Sequence, residues 1–237
     1  TLGLKFRKTE FFDKANPDRF FFKADSLVIR PNLWSFLQGK PKVCFDGVTY
    51  GGALNGCFRL TQNSLKAPIA GSVELKDISV GEYDNIPGMI GRHIKGRLGG
   101  TITYSGQYNS LMGGTGEADL RLSEGLIELL QPILMLESID FNELLIKLIL
   151  KNQKINLTHV ELKGPNMRGT LSGVVSLKKE FLKSSLNLRG TIEPFADFFK
   201  SLLGTRDTVK FFKQRLKRGR LSFIIHGTLT EPRIKFI

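Results

Sequence analysis

The chain has 237 residues, 41% hydrophobic and 24% charged, a balance that supports a folded unit with a core and excludes intrinsic disorder. Its formal net charge of +13 attracts polyanions: nucleic acid, anionic lipid headgroups or lipopolysaccharide phosphates. Most of the 18 Phe residues fall in apolar phase and not among the cations, which argues against nucleic acid as a partner.

In chain order, the first informative feature is a pair of cysteines. Cys44 and Cys57 bracket a segment whose midpoint is Tyr50-Gly51. A tight hairpin turn at Gly51-Gly52 would set the two sulfurs on opposed strand positions. They then form either a disulfide, which fits an oxidising compartment, or a pair of small apolar side chains buried together. Both readings stay open at this level. Gly39-Lys40 is followed by Pro41, where a Walker motif requires Ser or Thr, and Gly113-Gly114-Thr115-Gly116 precedes a strand instead of opening a helix. Neither is a phosphate-binding loop, and the second reads as a turn.

Alternating polarity dominates from there on. Ala118, Leu120 and Leu122 alternate with Glu117, Asp119 and Arg121. Leu171, Val175 and Leu177 alternate with Thr170, Ser172 and Ser176, and Leu186, Leu188 and Ile192 with Ser185, Asn187, Arg189 and Thr191. Leu221, Phe223, Ile225 and Leu229 alternate with Ser222, His226 and Thr228. Each run predicts a strand with one wet and one dry face, the pattern of an antiparallel sheet.

Two helices are expected between the strand runs. Leu126–Ser138 carries Leu126, Ile127, Leu129, Leu130, Ile133 and Leu134 as an apolar stripe, and Phe141–Leu150 continues in the same style. Glu128, Pro132, Glu137, Asp140, Glu143 and Lys147 interrupt this stretch, so it predicts no membrane span, and a membrane anchor is expected outside the chain. Farther on, Phe195, Phe198, Phe199, Leu202 and Leu203 follow Pro194 with the spacing of an amphipathic helix. Val209, Phe211, Phe212 and Leu216 then run beside Lys210, Lys213, Arg215, Lys217, Arg218 and Arg220, a mixture suited to the surface of an anionic membrane.

In four strands a glycine takes an apolar-face position: Gly100 between Leu98 and Ile102, Gly173 between Leu171 and Val175, Gly190 between Leu188 and Ile192, and Gly227 between Ile225 and Leu229, with Phe223 preceding in the same phase. These glycines either let a long sheet curve or leave room along its dry face for an apolar ligand such as an acyl chain. The named residues together form a candidate apolar groove. Catalytic signatures are missing from the pattern. His93, His159 and His226 stand far apart, and two cysteines without a nearby histidine make no zinc set, so a non-enzymatic protein without metal, and with no cofactor beyond a bound lipid, is expected. The fold class that follows is mainly β: a long curved antiparallel sheet, half-pipe in shape, with a few amphipathic helices covering its apolar face or ends. It is expected as one elongated domain over residues 1–237. Arg189–Pro194 is echoed in His226–Pro232 and more faintly in Gly100–Ile102 and Gly169–Leu171, and faint sub-repeats of about 1–125 and 126–237 are expected.

The segments Phe22–Pro31, Gly51–Gly56, Gly169–Leu177, Gly219–Phe223 and Gly227–Ile234 resemble the type II secretion system protein N family. The closing Gly227-Thr228-Leu229 followed by Pro232 is similar to AsmA-like and TamB-like proteins more broadly. The resemblance implies an accessory, non-enzymatic component of a bacterial type II secretion machinery. It would be periplasmic, anchored to the inner membrane of a Gram-negative bacterium, and would act through contacts with other secretion proteins. AsmA-like relatives are associated with lipid movement along a hydrophobic groove, which implies the alternative of binding or carrying phospholipid or lipopolysaccharide between membranes.

Overall fold

Residues 3–13, 16–60, 68–82, 93–107, 111–133, 136–196, 198, 216 and 218–237 are described by the structure, a computed structural model. Alternating side chains make strands, and the strands pair with their chain neighbours throughout. The first six are β1 (Leu4–Asp13), β2 (Asn16–Asn32), β3 (Lys42–Thr49), β4 (Gly52–Leu60), β5 (Ile69–Ser79) and β6 (Ile94–Gly106). β7 (Thr115–Ile133), β8 (Leu136–Lys151), β9 (Lys154–Lys163), β10 (Met167–Ser176), β11 (Ser185–Pro194), β12 (Leu221–Thr228) and β13 (Pro232–Phe236) complete the series. They form one 13-stranded antiparallel sheet in the order β1 to β13, with no crossover, and β1 and β13 remain its two edges instead of closing a barrel.

Turn chemistry sets the register. Tyr50 and Gly51 have φ of 46° and 71°, and Asn152 and Gln153 of 52° and 57°. Positive φ at both central residues is the type I′ geometry whose twist matches antiparallel strands. The β3–β4 turn is therefore Tyr50-Gly51, one residue earlier than the expected Gly51-Gly52, and Cys44 lies directly opposite Cys57.

The two helices expected over Leu126–Ser138 and Phe141–Leu150 are strands instead, the second half of β7 and most of β8. Two physical causes mislead the periodicity. Glu124 adopts φ of 51°, a bulge that resets the phase of β7 halfway, so the inward set changes from Leu122 to Ile127. In β8, Phe141 and Leu144 fall in one cluster, a spacing that imitates a helix turn. Leu145 and Ile149, moreover, place apolar residues on the wet side and hide the alternation. Residue 125, the end of the expected first half, lies within β7.

Helical elements are short among the described residues. α1 (Leu33–Leu37) links β2 to β3, and single 3-10 turns cover Val80–Glu82, Leu111–Gly113 and Phe181–Lys183. Of the helix expected from Phe195, Ala196 and Phe198 are helical, while Phe199, Leu202 and Leu203 lie outside the described residues. The chain exposes 15196 Å2, whereas a compact monomer of its 26.5 kDa would expose about 11,000 Å2. Among the described residues the strands form a single layer with no second sheet packed against it, and such a layer leaves more surface open than a layered fold.

Candidate functional site

The register lines up apolar residues across the whole sheet. One row of directly paired positions runs Phe6, Leu27, Gly47, Leu54, Leu75, Gly100, Leu120, Ile146, Val160, Leu171, Gly190, Phe223 and Phe236, one residue per strand. The next row on the same face runs Leu4, Ile29, Phe45, Gly56, Val73, Ile102, Ala118, Leu148, Leu157, Gly173, Leu188, Ile225 and Ile234. No polar side chain interrupts either row. With strands about 4.8 Å apart, each row follows the sheet for roughly 58 Å.

Every residue of the expected groove lies on this face. Gly100, Leu171, Gly190 and Phe223 are in the first row, and Ile102, Gly173, Leu188 and Ile225 in the second. Val175 and Gly227 belong to a flanking row through Leu186, and Leu98 and Ile192 to the opposite flank through Leu122 and Leu221. Burial along the face is partial. Leu27, Leu122, Leu188 and Leu221 are buried, most others are half-buried, and Ile102 remains 37% exposed.

The glycines are not vacancies. At Gly100 and Gly173, φ is 133° and 134°, and a Cβ would sit 2.2 Å from the Asp119 carbonyl oxygen and 2.3 Å from that of Asn187. These positions need glycine because the neighbouring strand's backbone comes close, as expected where a sheet bends sharply. At Gly190 the Phe223 ring lies over the glycine directly opposite it, and Phe45 over Gly56 and Phe58 over Gly71 repeat the arrangement. The space above these three is therefore filled by a neighbour's ring. A shallow depression of about 490 Å3 opens in the flanking row where Gly71, Tyr104, Gly116 and Leu150 follow one another.

The opposite face is polar and laced with ion pairs. Lys147 meets Asp119 at 2.9 Å, Arg121 meets Glu143 at 3.1 Å, and Lys163 reaches Glu143 at 2.9 Å. Lys163 donates a hydrogen bond to the Glu143 carboxylate. That bond outweighs partial desolvation and, with the charges of Lys163 and Arg121, holds Glu143 below the usual carboxylate range. Cys44 and Cys57 are joined by a disulfide on this side of β3 and β4. The three histidines are separate: His93 precedes β6, His159 in β9 lies 3.7 Å from Glu161, and His226 sits in β12 opposite Asn187.

Of the basic segment, Lys210, Lys213, Arg215 and Lys217 lie outside the described residues. Arg218 is an exposed turn residue with φ of 53°, and Arg220 pairs with Glu193 at 3.4 Å. Two features escape sequence reasoning. The ring-over-glycine pairs require knowledge of register. The exposed apolar helix α1 is too short for a period, and its one sequence signal is composition: Leu33, Trp34, Phe36 and Leu37 around one serine after the capping Asn32.

No protein-family model, curated protein or solved structure matches the chain.

Proposed function

We propose that the chain shields the acyl chains of lipids along the apolar face of its open sheet, as a non-enzymatic lipid-binding domain of the AsmA-like kind. The observation that carries this reading is the pair of uninterrupted apolar rows across thirteen strands, over which no second sheet lies among the described residues. A soluble protein gains nothing from so large an uncovered apolar strip, since burial of apolar surface is the main term favouring the folded chain. An occupant that is long, flexible and apolar, with a polar head free to stay in water, fits a strip of this length. The Cys44–Cys57 disulfide supports an oxidising compartment, and with it the periplasmic setting, anchored at the inner membrane, that the family resemblance implies.

A second reading, as an accessory component of the type II secretion machinery acting by protein contact, is favoured by a different observation. β1 and β13 are sheet edges, and an unpaired edge is a template for strand addition by a partner.

Lipid extraction and native mass spectrometry of the purified chain test the first reading. Co-purified phospholipid or lipopolysaccharide is expected, and Ile102→Glu, which puts a charge on the middle of the second row at a half-open position, is expected to abolish it without unfolding the sheet. A protein that emerges lipid-free and stays so after incubation with phospholipid vesicles would refute the shielding reading and leave the partner-binding one.

A further inference from the structure

α1 is built inside out. Asn32 caps it by accepting a hydrogen bond from the Ser35 backbone N–H at 3.1 Å. The Ser35 hydroxyl donates to the Asn32 carbonyl at 2.5 Å and accepts from the Lys42 N–H at 2.8 Å. The polar residue of the helix is thereby turned toward the β2–β3 backbone and satisfied there. Its apolar residues point the other way: Leu33 is 61% exposed, Trp34 68% and Leu37 80%, with Phe36 also exposed. An amphipathic helix on a soluble surface does the opposite.

The surroundings are equally one-sided. β1 pairs with β2 and forms the adjacent edge, where Leu4 and Phe6, opposite Ile29 and Leu27, are exposed at the end nearest α1. Lys5, Arg7 and Lys8 lie on the same edge strand, and Lys40, Lys42 and Arg59 flank the base of α1. Of the nearby acids, Glu10 is paired with Lys23 and Asp46 with Arg30, and the exposed Asp25 beside β1 is outnumbered by the cations of that strand. Exposed Trp, Leu and Phe next to a surplus of cations is the composition that partitions into the headgroup layer of an anionic bilayer.

We propose that α1 and the adjoining β1 edge form a membrane-docking corner, with Leu33, Trp34 and Leu37 inserted into the interfacial layer of an anionic bilayer. The corner is distinct from the basic segment at Lys210–Arg220. It goes beyond the lipid-shielding reading and does not depend on it, because a sheet that holds no lipid can still dock here. If both hold, docking places the Leu4 end of the apolar rows beside the bilayer from which acyl chains come.

Trp34 is the only tryptophan of the chain, so intrinsic fluorescence reports on α1 alone. Titration with phosphatidylcholine–phosphatidylglycerol vesicles is expected to shift its emission to the blue, with quenching by brominated acyl chains and weakening by salt. Pure phosphatidylcholine vesicles should give a smaller response. Leu33→Ser with Leu37→Ser, both at exposed positions, should lower vesicle affinity by about tenfold or more while the far-ultraviolet circular dichroism stays that of a β protein. The fluorescence of the unaltered chain needs no variant, so poor folding of the double substitution leaves the test intact. Sedimentation with vesicles without a Trp34 shift would mean that another surface docks, and would overturn the proposal. Failure to bind vesicles would overturn it too. A shift that appears on raising protein concentration alone would assign the corner to a second copy of the chain, again against the proposal.

Discussion

The two ends of this sheet solve the same problem differently. From Val80 onward the apolar face gathers into three clusters, around Leu122 and Phe141, around Met167, Phe198 and Leu221, and around Val175 and Leu188. None of them includes a residue of β1 to β4. There Leu27 and Leu54 are buried without joining a cluster, the side chains of β1 stay out, Leu4 at 59% and Phe6 at 41% exposure, and the covalent staple Cys44–Cys57 is found in this same region. At the C-terminal end the chain lays Phe198 and Leu216 over its own face, while at the N-terminal end the edge strand β1 is uncovered among the described residues, and the strands beside it carry a disulfide and a tight turn. A region that must keep its apolar face available cannot take its stability from covering that face, and a cross-link that constrains the unfolded chain supplies stability without occupying the surface.

The largest test of this contrast is Phe198→Ala. The ring is 1% exposed and sits between Met167 and Leu221, so its removal leaves a cavity and should cost about 3–5 kcal/mol in denaturant unfolding. Hydrogen exchange should show the loss concentrated in β10 to β12, with β1 to β4 little changed. Equal loss of protection in all strands would show that the two ends stabilise one another and would break the comparison.

Slightly smaller, and opposite in location, is the effect of removing the disulfide. The cysteines are 13 residues apart, and closing a loop of that size is worth about 3 kcal/mol in the chain-entropy account. Cys44→Ala with Cys57→Ala should therefore expose the amides of β2 to β5 to exchange and spare β9 to β13. Mass spectrometry after alkylation without reductant precedes this test. Two labelled thiols would remove the staple from the argument altogether.

Much of the architecture was legible before any coordinates. The strands around Leu120, Leu171, Leu188 and Phe223 were visible because each has charged or hydroxylated neighbours on one side and aliphatic ones on the other, and register then joins them into the rows described above. What failed was local. Bulges at Asp77 and Glu124, with φ of 52° and 51°, shift the phase of β5 and β7 within a single strand, and a periodicity argument has no means of adding a residue. Leu126–Leu150 was misread for that reason. Alternation puts the glycines on the apolar face but leaves curvature and free space as alternatives, and only strand pairing reveals that Phe223 lies opposite Gly190 and Phe58 opposite Gly71. Helix α1 has no periodic signature, since five residues between two strands carry too short a pattern for a period to register.

The smallest expected effect lies on the polar face and sharpens the contrast from the other side. Glu143 precedes the buried Leu144 in β8 and bridges Lys163 at 2.9 Å and Arg121 at 3.1 Å. Its carboxyl titrates below the usual range because Lys163 hydrogen-bonds to the ionised form and both cations favour it. A folded-state value lower than the unfolded one contributes stability that is present above the unfolded carboxylate range and is lost as pH falls through the folded value. Glu143→Gln should therefore destabilise slightly at neutral pH, and the difference from the unaltered chain should shrink to nothing in acid and also at high salt. Chemical denaturation at neutral and acidic pH measures it. The Gln variant should lose less than either the Phe198 or the cysteine variant, since solvent-exposed ion pairs gain little over hydration. A larger loss would mean that cross-strand charges, and not the apolar rows, hold β7, β8 and β9 together, and the account of a sheet stabilised from one face would fail.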